Sequence, residues 1–198
     1  SEVVESVERA GITKKVAEKL NDLFKNDRKG FEDKWKDLGV FVKYGMLSDE
    51  KFHEKAVKFA LLKNTEGEYF TIEDYKAKIK ANQTDTHEKL VIIYSNNPAE
   101  HHSFIDSVKN YGYDIVEFDT IIDTHFMQHL EYKLGDITFV RVDSDIASNL
   151  VQKDEKMESV LSEKEQEKVK ELFESKVGQA GSIVVLKPLS PDDQPVLI

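Results

Sequence analysis

The chain has 198 residues, no cysteine, and 28 Lys plus Arg against 38 Asp plus Glu, a formal net charge of -10. That length supports one large domain or two small ones with real cores, and without cysteine there are no disulfides and no thiolate chemistry. An acidic balance with no basic cluster argues against nucleic acid, and no apolar run approaches the roughly 20 residues that cross a bilayer. No signal-peptide pattern opens the chain, so a reducing cytoplasm is the expected compartment.

The pattern divides the chain into three parts: residues 1–66, 67–152 and 153–198. The first reads as helical to about Leu62. Val16, Leu20, Leu23 and Phe24 form one stripe; Phe31, Trp35, Leu38 and Val42 form a second; Phe52, Ala56, Phe59 and Ala60 form a third. The spacings are those of helices, not strands. Gly45 is the expected stop of the second helix and Ser48 the expected N-cap of the third. Trp35, on an apolar stripe, is read as core rather than as a ligand platform.

The second part alternates helix and strand. Thr71 with Asp74 caps a helix carrying Ile72, Tyr75 and Ile79. Leu90-Val91-Ile92-Ile93-Tyr94 is a continuous apolar run, as in a strand buried on both faces. Asn97 and Pro98 predict a helix start, with Phe104, Ile105 and Val108 buried and a stop at Gly112. Residues 113–118 predict a strand. Asp123 is the expected cap of a helix with Met127, Leu130 and Leu134 inward, Phe126 at the edge of that arc, and Gly135 as its stop. Residues 138–142 predict a third strand. This order calls for a parallel sheet with right-handed crossovers, a small three-layer α/β unit after the helical bundle.

In the third part Ser162-Glu163-Lys164-Glu165 is a capping box opening a helix with Val169, Leu172, Phe173 and Val177 on one face. Residues 183–186 look like a strand, and the chain closes on Pro195-Val196-Leu197-Ile198, an apolar run with no turn after it. This is a partial α+β segment, too short to hold a core alone. With Ser rather than Met at position 1, the expectation is a piece of a longer protein.

Parallel sheets bind ligands beyond the carboxyl ends of their strands. Ser95-Asn96-Asn97, Asp119 and Asp143-Ser144-Asp145 fall there. Asp119, Asp143 and Asp145 could hold magnesium in a stand-alone enzyme, but loops are rich in Asp and Asn for ordinary turn reasons, and no glycine-rich loop or lysine accompanies them. His125 and His129 have the i, i+4 spacing of a zinc pair, yet Phe126 stands where the metalloprotease motif has Glu, and two ligands without a third rarely make a site. His101 and His102 are adjacent and point about 100° apart on a helix, which makes them poor co-ligands. There is no G-x-x-x-x-G-K-[ST] and no G-x-G-x-x-G. The residues themselves therefore leave open a stand-alone α/β enzyme or a structural adaptor.

The segment 35–64, WKDLGVFVKYGMLSDEKFHEKAVKFALLKN, resembles the middle segment of the ninety-kilodalton heat-shock chaperone family, in particular its bacterial branch. The resemblance continues in Gly112-Tyr113-Asp114, in Phe139-Val140-Arg141-Val142-Asp143-Ser144-Asp145 and in the closing Gln194-Pro195-Val196-Leu197-Ile198. It covers about residues 12–198 and leaves the first eleven unplaced. It implies the latter part of a middle domain plus the start of a C-terminal dimerisation domain, in a homodimeric parent that binds ATP and magnesium elsewhere. The segment itself is then expected to be monomeric, with no catalytic, cofactor or metal site of its own. Neither Arg9 nor Arg28 matches the arginine that the family's middle domain lends to hydrolysis. Client proteins are the implied partners, and His125, Gln128, His129 and Tyr132, opposite the inward stripe of their helix, are the candidate contact residues.

Overall fold

The computed structural model describes residues 2–150 and 167–168. The capping box at 162–165, the strand at 183–186 and the closing apolar run lie outside the described residues. Of the helix expected after the capping box, Glu167 and Lys168 are helical. Ser1–Ala147 forms one compact unit and Ser148–Ile198 another.

Three helices come first: α1 (Glu2–Asn26), α2 (Arg28–Ser48) and α3 (Glu50–Ala56). Asp27 separates the first two, its Oδ1 accepting from Gly30 N at 2.9 Å. The expected stop at Gly45 does not occur, and α2 runs on to Ser48. Gly45 serves close approach instead: a Cβ there would lie 2.7 Å from the Phe52 ring. The cap of α3 is Asp49, not Ser48. Its carboxylate accepts from Phe52 N at 2.7 Å, while the Ser48 hydroxyl donates back to Tyr44 O at 2.8 Å inside α2. Phe31, Trp35, Val42, Phe52, Ala56, Phe59 and Ala60 are buried as the stripes predict. Of the α1 stripe, Leu20, Leu23 and Phe24 pack partly buried against the core, while Val16 is exposed and its neighbour Ala17 is buried instead.

The helical run ends at Ala56, earlier than expected, because Leu61–Lys63 (β1) pairs antiparallel with Tyr69–Thr71 (β2). The hairpin turn is built by Asn64, whose Oδ1 accepts from Glu66 N at 3.1 Å and Glu68 N at 2.9 Å. Thr71 Oγ1 then accepts from Asp74 N and caps α4 (Ile72–Ile79), with Ile72, Tyr75 and Ile79 buried as expected.

The α/β unit contains β3 (Leu90–Ser95), α5 (His102–Asn110), β4 (Ile115–Glu117), α6 (Asp123–Leu134) and β5 (Ile137–Arg141). The sheet is fully parallel with order β4-β3-β5. The chain steps from β3 one way to β4, then back past β3 to β5. Right-handed crossovers therefore put α5 and α6 on opposite faces. Strand alternation follows: Ile93 pairs with Ile115 and Val140 on one face, while Ile92 pairs with Phe139 on the other. Both faces are covered, which is why β3 reads as an unbroken apolar run.

Two helices of this unit differ from expectation. Asn97 does cap a turn, accepting from Glu100 N at 3.3 Å, but α5 begins only at His102, and Phe104 is exposed while Ile105 and Val108 are buried. In α6 the centre of the buried side is Phe126 and Leu130, with Leu134 only partly buried. Gly135, at φ +72°, ends the helix as expected.

Candidate functional site

Four contacts position α6. Lys43 of α2 pairs with Asp123 at 2.5 Å, and both side chains are buried. Asp123 is thus not a cap: its other oxygen accepts from Thr120 N at 2.9 Å, and the residue before the helix, Ile122, makes no side-chain cap. His129 Nε2 lies 2.9 Å from His53 Nδ1 of α3. Lys133 donates to Glu50 of α3 at 2.8 Å. On the far side Glu131 accepts from Phe139 N of β5 at 2.7 Å.

Of the four sequence-predicted contact residues, His125, Gln128 and Tyr132 lie exposed on the outward side of α6, Tyr132 at 83%. His129 does not join them. It sits around the helix toward α3 and is half-buried against His53. Ile121, 97% exposed just before the helix, extends the outward surface. Ile121, Thr124, His125, Gln128 and Tyr132 include no Lys, Arg, Asp or Glu.

The flanks of α6 are electrostatically tuned. Burial pushes both His53 and His129 below the ordinary histidine value; for His53 the neighbouring His129 and Lys133 add to this, and Glu50 and Glu54 oppose it. The bond to Glu50 raises Lys133, and the same bond lowers Glu50. Sequence reasoning missed His53. Its partner lies 76 positions away, and no periodicity within α3 marks it.

The strand-end aspartates are not drawn together. Asp119 and Asp145 are exposed, and Asp143 is held by Arg141 through two bonds of 2.6 and 3.0 Å, which depress its carboxyl. Among the described residues no three of His, Cys, Asp and Glu are placed to hold a metal ion, and the His125–His129 pair is broken by the turn of His129 toward His53. Ser95 Oγ lies 2.9 Å from His101 Nδ1, and His101 Nε2 lies 3.7 Å from Asp143. The order of residue types is that of a nucleophile, a base and a carboxylate. Ser95 is fully buried, however, and also accepts from Asn97 N at 3.2 Å, so the set knots the β3–α5 turn and offers no nucleophile to solvent.

The architecture, helices followed by a hairpin and a short doubly wound parallel sheet, is shared with a solved middle domain of a Plasmodium falciparum heat shock protein. That likeness has a TM-score of 0.57 at 15% identity and covers 73% of this chain and 60% of the other. It defines the fold. The family follows from sequence: the Hsp90 protein family model matches residues 2–188. A chaperone protein HtpG of Bacteroides fragilis is 41% identical over 190 residues, covering 94% of this chain and 28% of the relative. The HtpG of Porphyromonas gingivalis is 41% identical over 166 residues, 84% of this chain and 24% of that protein. The chain belongs to the Hsp90 family, and it spans about a quarter of the length of these relatives.

Proposed function

We propose that the chain is a segment of an ATP-dependent molecular chaperone, acting without a nucleotide site of its own. Residues 1–66 and 67–152 supply the latter part of the middle domain, and 153–198 begin the C-terminal dimerisation domain. The parent is a cytoplasmic homodimer that binds ATP and magnesium through other domains, and the isolated segment is a monomer. Its role is to relay motion between domains and to present surface to client proteins.

The observation that carries the client reading is the outward side of α6. His125, Gln128, Tyr132 and the adjacent Ile121 are exposed without a single fully charged residue, on a chain that is 33% charged. A partly aromatic, charge-poor surface is the composition favoured where proteins meet. The contacts to α2, α3 and β5 hold this helix from three sides, so the surface is pre-organised.

Amide chemical-shift mapping with an unfolded client tests the reading. Shifts centred on residues 121–132 support it; shifts confined to other elements refute it. Calorimetry with ATP and magnesium tests the nucleotide assignment: no heat of binding is expected, and a stoichiometric site would overturn the division of labour.

A further inference from the structure

Three contacts fasten α6 to the helical part, and one of them, Lys133–Glu50, is an exposed ion pair. The Lys43–Asp123 pair is buried and ionic. The His53–His129 contact is a bond between two imidazoles, N to N 2.9 Å, with ring centroids 4.7 Å apart and planes at 78°. Such a bond requires one nitrogen to carry a proton and the other to offer a lone pair. Two neutral rings meet the requirement. One cation also meets it, because an imidazolium can donate to a neutral ring. Two imidazolium rings cannot: both nitrogens are then donors, and two like charges face each other in a half-buried site.

We propose that the His53–His129 bond is a proton-operated latch on α6, closed while either ring is neutral and opened when both are protonated. The charged groups that act on the rings are Glu50 and Glu54 from α3 and Lys133 from α6. Glu50 is already committed to Lys133, so it neutralises that ammonium more than it shelters a second imidazolium. Burial lowers the proton affinity of both rings, so the closed form prevails at neutral pH. Opening falls on the acid side of the ordinary histidine value of about 6.5. The α3-facing edge of α6 then loosens, while Lys43–Asp123 keeps the helix start in place. The latch holds whether or not the outward side of α6 binds clients.

Histidine ring titration by ¹⁵N NMR, together with amide hydrogen exchange on the whole chain, tests this. Between about pH 7.5 and about pH 5, protection of the α6 amides, corrected for intrinsic rates, is expected to fall by about tenfold relative to α5. His129→Gln keeps an amide donor for His53 but does not titrate, and should abolish that pH dependence. His125→Gln, on the exposed side, should retain it. The two rings of the unaltered chain should titrate as a coupled pair, the second proton binding at lower pH than the first. Independent titration of both rings, α6 protection that does not change with pH, or the same pH dependence in His129→Gln would each overturn the proposal. Should His129→Gln fail to fold, the ring titration of the unaltered chain decides alone.

Discussion

Lys43 and Asp123, 80 positions apart in sequence, meet at 2.5 Å with side-chain exposures of 9% and 2%. The ammonium also stands 5.3 Å from the Phe118 ring centroid and 5.5 Å from that of Phe126. The pair joins the helical part to the α/β unit, and it is closed off from water. Removing one partner leaves a buried, uncompensated charge. Asp123→Ala should therefore cost about 3–5 kcal/mol in urea melts. The double variant Lys43→Met, Asp123→Leu removes both charges and should recover most of that loss. If the double variant is as unstable as the single one, the loss does not come from the stranded charge.

Trp35 is 7% exposed and packs against Phe31, with ring centroids 5.8 Å apart. Trp35→Ala should destabilise the chain by about 3–5 kcal/mol. Equilibrium unfolding checks this, and a loss under about 1 kcal/mol would mean that the site collapses without a cavity.

Gly45→Ala gains about 1 kcal/mol in helix propensity. It also drives a methyl to 2.7 Å from the Phe52 ring, which overpacks the α2–α3 contact. A net loss of stability is expected, rescued by Phe52→Leu, and thermal melts of the three variants would show it.

The depressed His53 and His129 make stability depend on pH. In the unfolded chain each ring binds a proton near its ordinary value; in the folded chain each does so only at lower pH. Between those two values the unfolded state holds more protons. Stability therefore falls as pH drops below about 6.5, and this contribution levels off once pH is below the folded values. Replacing both rings by Gln should flatten the melting temperature between about pH 6.5 and the carboxylate range. The lowered carboxyls of Glu50 and Asp143 lose their contribution only further toward acid.

What was legible in the sequence follows the range of each interaction. The three strands, α4 with its Thr71 cap, and the Gly135 stop are written in local periodicity and capping residues, and they stand where expected. The β1–β2 hairpin was missed because its strands have three residues each, too few to show alternation. Gly45 and Asp123 were misread for a common reason. Each has a local role by type, a helix stop and a cap, but each is committed to a distant partner, Phe52 and Lys43. At the candidate site, the helical wheel placed His125, Gln128 and Tyr132 outward correctly. It could not show that His53 would draw His129 aside, since that contact depends on how α3 docks.

If the outward side of α6 meets client proteins as proposed, altering it must weaken client binding. The most direct test is the affinity of the full-length parent for an unfolded client, measured with His125→Ala and Tyr132→Ala combined. Both side chains are exposed, so fold and melting temperature should be unchanged. Weaker client binding is expected, by roughly tenfold if the two side chains act as interface anchors. Unaltered client affinity in a stably folded double variant would contradict it.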